Sequence, residues 1–349
     1  MAWRADPIAQ GAIQVHTARY DGDLGHRRKG VPGVPGARGP WRDGWKRGDK
    51  TTCRENTRGE KLSLIFGLCA PLLGVSRGRG APQQGSFSVA EFNQVYARAA
   101  YYDIAFRRDI DPEVKFIIDE YARLNGRPLS SVLEIACGPG YHVRAFVEKG
   151  VRATGLDLRP EMIDFARKEA EALGISAEWI AADMRGFSLP APVDAIITMY
   201  DSIDCLSAGD DLVDHFRTVG ANLNKGGIYL FEVTHPRDCS MWSYGRHKYE
   251  GERDGTKVEI IWAVNDPVPD MLTQIAEVET ILRVTENGKV SEFRDRARER
   301  FTLPQEFMAL IKLAGGLDVV DVYGDFVQGL RMDNSPASRR MIFVLRKSG

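Results

Sequence analysis

The stretch VLEIACGPGYH, residues 132–142, decides the fold. An apolar run suited to a buried strand passes directly into Gly-Pro-Gly. Glycine there costs backbone entropy, so the turn must serve a conformation or a close approach that side chains would block. Downstream, apolar runs at 131–136, 152–156, 177–181, 193–198, 227–233, 317–323 and 340–346 read as strands. Helical patterns fill the first four gaps, at 141–149, 160–173, a short one before Pro190, and 209–223. Such alternation predicts a parallel sheet covered on both faces. Ligands on these sheets bind beyond the strand C-termini, where the strand order reverses. Residues 138–140 lie there: Gly138 and Gly140 let backbone amides approach a ligand, and the N-terminus of the next helix adds partial positive charge.

The loop argues against two ligand classes. In a G-x-G-x-x-G loop for dinucleotides, Val143 stands where the third glycine is needed, and no G-K-[ST] of a phosphate loop follows. The acids are more informative. Glu134 lies within the first strand, Asp157 ends the second, Asp183 follows the third and Asp194 opens the fourth. An acid ending strand two suits two ribose hydroxyls, and one after strand three suits an adenine amino group. With no Lys or Arg in the loop, a ribose and adenine carrying a cation or zwitterion fits better than a pyrophosphate.

VLEIACGPG, GLDLRPEMIDFAR, AADMRGF and LNKGGIYLFEV, in that order, resemble the successive motifs of Rossmann-like (class I) S-adenosylmethionine-dependent methyltransferases, over about residues 90–349. The resemblance implies an α/β fold: a doubly wound, mostly parallel seven-stranded sheet with a small antiparallel β insertion. It implies S-adenosyl-L-methionine as cofactor, held by Tyr102, Glu134, Ala136, Gly138, Gly140, Asp157, Leu158, Met162, Asp183, Met184 and Tyr200. In it, Gly138 and Gly140 pass the methionine moiety, Asp157 takes the ribose with Leu158 and Met162 nearby, and Asp183 and Met184 frame the adenine. Tyr200 and Asp201 face the methyl group. Tyr96 or Tyr102 closes over the amino-acid end, although helical spacing suits plain packing equally.

Between strand five and a helix near 303–314 lie further strands at 257–265, 272–284 and 290–301, the last two joined by the Asn-Gly turn in TENGK. We read them as an antiparallel sheet roofing the acceptor, with Trp242, Tyr244 and Trp262 as lining; the bland alternative is a dimerisation sheet. Methyl transfer from a sulfonium needs no acid for its leaving group, so alignment supplies much of the rate. An oxygen acceptor also needs a base, while a neutral amine needs at most help losing a proton afterwards. The candidates are His235, Asp201 and Asp204, with His235 favoured. His142 reads as a packing or capping residue. YDSIDCL (200–206) resembles the matching stretch of sugar-amine N-methyltransferases, except that Cys205 replaces a histidine, which puts an aminosugar acceptor in doubt. Nitrogen and oxygen acceptors stay open. So do two other uses of the fold, aminopropyl-type transfer and non-catalytic binding of the cofactor or its product.

Residues 1–85 read differently. They hold fifteen Gly, six Pro and fifteen Lys/Arg against seven Asp/Glu, a net of +8 in a chain whose total is −1. GVPGVPGARGPW (30–41) has no face to bury, so a disordered basic leader is expected. The apolar patch at 62–75 falls short of the ~20 residues that cross a bilayer. Helical order is expected from a capping box, Ser88 with Glu91, onward, and a second helix at 112–124. The expected division is 1–85 leader, 86–236 with 302–349 cofactor-binding domain, and 237–301 insertion and acceptor lid. Five cysteines without C-x-x-C spacing and no H-E-x-x-H argue against a disulfide framework or a metal site, and for a reducing, cytoplasmic setting. The expected partner is a small-molecule acceptor, with no nucleic acid and no membrane, and the chain a monomer or homodimer.

Overall fold

The computed structural model describes residues 94–238 and 245–349. The leader, the Ser88–Glu91 capping box, Trp242 and Tyr244 therefore lie outside the described residues. All seven expected strands of the main sheet form: β1 Ser131–Ile135, β2 Arg152–Asp157, β3 Glu178–Ala181, β4 Val193–Thr198, β5 Leu223–Thr234, and, near the C-terminus, β10 Leu317–Tyr323 and β11 Arg340–Lys347. Their order is β3-β2-β1-β4-β5-β11-β10. Every pairing is parallel except those of β11, which runs antiparallel to both β5 and β10.

Strand alternation sorts the core into two layers. Val132, Ala195, Ile197, Ile228 and Leu230 point to one face, where they meet Val114, Ile117 and Tyr121 of α2 (Asp111–Asn125), Val143 and Phe146 of α3 (Tyr141–Glu148) and Ile163 of α4 (Pro160–Ala172). Leu133, Ile135, Ile196, Tyr229, Phe231 and Phe343 point to the other. There they meet Leu212 and Phe216 of α5 (Gly209–Asn222) and Phe307 and Ile311 of α6 (Pro304–Ala314). Both faces being covered, β1 and β4 are buried along their whole length, as a continuous apolar run demands. The chain leaves β1 toward β2 on one side and returns to β4 on the other. Their C-terminal ends therefore open the crevice in which such folds bind ligands.

Two elements differ from expectation. No helix forms before Pro190: residues 182–192 are turns and irregular backbone. The insertion has four strands rather than three: β6 His247–Arg253, β7 Thr256–Trp262, β8 Ile275–Glu286 and β9 Lys289–Arg300, in that order in one antiparallel sheet. Asp254-Gly255, with φ of 51° and 77°, makes the two-residue turn that joins β6 to β7. The expected Asn287-Gly288 turn joins β8 to β9. A single turn of 3₁₀ helix, Tyr96–Arg98, leads into the short α1, Ala99–Phe106. Its Ala105 and Phe106 pack on Val258, Ile260, Leu282 and Val284 of the insertion sheet. Among the described residues, no helix is long and apolar enough to cross a membrane.

Candidate active site

The glycine loop is shaped by left-handed backbone. Ala136, Gly138 and Gly140 have φ of 55°, 48° and 77°. The two glycines do different jobs. A Cβ at Gly140 would come within 2.5 Å of the Trp179 ring, so this glycine lets the loop pack onto β3. A Cβ at Gly138 would meet nothing within 4 Å, so here the backbone faces open space. Asp157 stitches the loop to the end of β2: its carboxylate accepts the N–H of Gly138 at 2.9 Å and of Arg159 at 2.8 Å. Burial pushes that carboxyl up, and these two donors oppose the shift.

The neighbouring residues of the expected cofactor set fall into three kinds. Leu158, 57% exposed, offers an apolar surface beside Asp157. Met162 is buried within α4 and packs in the core instead of lining the crevice. Met184 is half-buried against the α5 layer, and its carbonyl is bonded by His215 at 3.0 Å. Asp183 is gripped by Arg185, which donates from Nε and Nη2 and also reaches Asp211. That pairing holds its carboxyl low. Glu134 is buried, with Oε1 bonded to His142 and Oε2 without a partner among the described residues. A free buried oxygen, an open Gly138 and an acid at the end of β2 fit a zwitterionic group attached to a ribose. Glu134, Gly138, Asp157 and Leu158 could hold S-adenosylmethionine.

At the end of β4 the backbone is strained. Tyr200 and Asp201, neither of them glycine, have φ of 58° and 53°. Buried Glu232 of β5 accepts the Tyr200 N–H at 3.2 Å and the Arg340 Nε–H at 3.0 Å. Asp201 accepts from the backbone and hydroxyl of Thr234 and lies 3.7 Å from Arg340. It is thus occupied in holding the turn. Asp204 has its carboxyl pushed well up by burial and by Asp201. Cys205 is reached by solvent yet surrounded by protein, as in the lining of a cleft. Burial, Glu299 and Asp204 push its thiol up to about 12, which removes it as a base near neutral pH.

His235 is not brought to this cluster as a free base. It is 1% exposed, its Nδ1 accepts the Arg237 N–H at 3.1 Å, and its Nε2 bonds the Asp333 carbonyl at 3.0 Å. With both ring nitrogens committed to backbone, it anchors the 333–338 loop. His142 departs from its expected role too. It makes no helix cap, and instead lies between Glu134 (2.8 Å) and Glu113 (2.6 Å).

Two features escaped the sequence reading. Arg108 stacks on the Tyr200 ring, its guanidinium 3.8 Å from the centroid. Glu299 of β9 is 8% exposed and accepts the Trp262 indole N–H at 2.9 Å. From Trp262 an aromatic strip runs through Tyr96, Tyr102, Phe106 and Tyr249, with successive centroids 6.5, 5.7, 4.2 and 4.3 Å apart. Phe106 also meets Tyr200 edge-on at 6.0 Å. Tyr102 thus stands midway along a wall between the insertion sheet and the end of β4.

Comparison with known proteins agrees with this geometry. Residues 132–227 match the family model described as "Methyltransferase domain". YqeM of Bacillus subtilis, named as a methyltransferase with no substrate stated, is 26% identical over 219 residues, covering 62% of this chain and 84% of that one. The dTDP-3-amino-3,4,6-trideoxy-alpha-D-glucopyranose N,N-dimethyltransferase of Streptomyces venezuelae is 30% identical over 103 residues, 30% of this chain and 42% of that one. Among solved structures, Streptomyces venezuelae DesVI matches with a TM-score of 0.58 at 25% identity, over 72% of this chain and 98% of that chain. Residues 132–227 thus match a methyltransferase domain, and the fold and the order of the motifs around them are similar to those of Rossmann-like S-adenosylmethionine-dependent methyltransferases.

Proposed function

We propose that the acceptor is an amine-bearing small molecule, methylated on nitrogen in the cleft between the glycine loop and the insertion sheet. When bound, S-adenosylmethionine supplies an electrophilic methyl on a sulfonium that leaves as a neutral thioether. The glycine loop, Asp157 and Glu134 orient that group, and the strip from Trp262 to Tyr249 keeps water from the line of attack. An amine reaches the site largely as ammonium and must lose a proton before its lone pair can attack. The observation that carries the reading is Glu299. Burial, followed by Asp201, pushes its carboxyl up to about 8, and Trp262 fixes its orientation. Once it has lost its own proton, as pH rises through about 8, that carboxylate attracts an ammonium and can take its proton. The N,N-dimethyltransferases among the relatives support the same acceptor class.

The test is transfer of a labelled methyl group across a panel of primary and secondary amines, phenols and catechols. Amines are expected to accept it. Turnover should rise with pH through about 8. Glu299→Gln should lower turnover by ~10²-fold and abolish that limb. Labelling of phenols alone, or an unchanged limb in Glu299→Gln, would overturn the nitrogen reading.

A further inference from the structure

We infer that His142 is a positioning residue for the cofactor: as an imidazolium clamped between two carboxylates, it fixes Glu134 so that its free oxygen is presented to the cofactor's ammonium group. The inference rests on the reading of the chain as a methyltransferase that binds S-adenosylmethionine.

Four side chains from separate elements form the clamp. Glu134 comes from β1, next to the glycine loop. Its Oε1 is 2.8 Å from His142 Nδ1, and its Oε2 is buried with no partner among the described residues. His142 Nε2 is 2.6 Å from Glu113 of α2. Arg108, in the segment between α1 and α2, closes the row on Glu113 at 2.8 Å and stacks on Tyr200. These are the charged groups facing the ring: Glu134 from one side, Glu113 from the other, and Arg108 beyond it. Both ring nitrogens meet carboxylate oxygens, so the ring bonds to both only when each nitrogen carries a proton. Loss of one proton would aim a lone pair at a carboxylate and leave a buried anion poorly compensated. Burial alone would lower the imidazole's affinity for its proton. Glu134 and Glu113 outweigh it and raise the pKa to about 9. With Oε1 held by the ring, Glu134 has one acceptor left, at the strand end where the zwitterionic group must sit. The same row reaches Tyr200, so the two ends of the crevice share one support.

Sign follows from the raised value. The clamp is intact below the ordinary histidine range and is lost as pH rises through about 9. Three measurements test it on the full chain. ¹⁵N spectra of histidine-labelled protein should show both His142 nitrogens protonated at pH 7.5. Calorimetry with S-adenosylhomocysteine should show affinity weakening through about pH 9 in the wild type. In His142→Gln, affinity should be ~10-fold weaker at pH 7.5, the loss expected for one bond to a charged group, with no step in pH. Glu113→Gln should move the step to lower pH. A neutral ring at pH 7.5, or a folded His142→Gln with wild-type affinity and pH profile, would overturn the inference. If His142→Gln does not fold, the ring titration and Glu113→Gln decide. A wild type that binds no S-adenosylhomocysteine at any pH would instead sink the methyltransferase reading itself.

Discussion

At the scale of single residues, two carboxylates in this site are tuned in ways that stability measurements can read. Glu299 holds its proton more tightly when folded than when unfolded. The stability from that preference is present below the ordinary carboxylate range and declines as pH rises to about 8. Above that, the fold must keep an anion that is 8% exposed. Glu299→Gln retains the acceptor for Trp262 and removes the charge. It should therefore unfold in urea ~1–3 kcal/mol later than the wild type at pH 9, with the gap closing by about pH 4. Asp157 carries a different load, because it closes the glycine loop through two backbone N–H groups. Asp157→Ala should weaken S-adenosylhomocysteine binding by ~1.5–3 kcal/mol in calorimetry. Unchanged affinity would remove Asp157 from the cofactor site.

Among the elements, α1 depends most on its surroundings. It has eight residues, AAYYDIAF, with almost no polar face, and is shorter than the ~12–15 that hold a helix in isolation. Its place is set by contact with β6. A Cβ added at Gly251 would come 2.0 Å from the Ile104 carbonyl, backbone against backbone, so the helix sits where it does only because residue 251 is glycine. Gly251→Ala should force α1 off the insertion sheet, with a loss of ~1–3 kcal/mol in denaturant unfolding. It should also weaken acceptor KM more than cofactor affinity, since Tyr102 and Phe106 ride on this helix. A second tie is buried Asp103, which pairs with Arg253 of β6 at 2.6 Å and Arg107 at 3.1 Å, while its backbone carbonyl accepts the Tyr141 hydroxyl at 3.1 Å.

On the scale of the whole molecule, the strained and the well-paired groups lie at opposite ends of the parallel sheet. The C-terminal ends of β1 and β4 hold Ala136, Tyr200 and Asp201 in left-handed backbone. At the other end, Asp194 is bonded by Arg127, Ser130 and Asn224. Burial alone would raise its carboxyl, and these donors hold it well below the usual range. A depressed carboxyl contributes stability above its ordinary value and loses it as pH falls through the folded one. Asp194→Ala should cost ~2–4 kcal/mol at pH 7, since it strips Arg127 and Asn224 of their partner, and the difference should shrink below about pH 3. Cofactor affinity should be unaffected, because the substitution lies at the far end of the strands.

The sequence alone determined the parallel sheet, the glycine turn after β1 and the acid that ends β2. Their signals are local: short apolar runs, strand ends and turn glycines reach only a few residues along the chain. Asp254-Gly255 belonged to the same class and would have revealed β6. Tertiary structure alone decided which partner each titratable group meets. His235 was a sound candidate by type, but its partner is a carbonyl 98 residues away in sequence. Glu299 meets Trp262 across the insertion sheet, 37 residues apart, and His142 finds Glu113 at a separation of 29. Whether a histidine is a base, an anchor or a charged clamp depends on what its two nitrogens touch. Long-range packing sets that, and no periodicity records it.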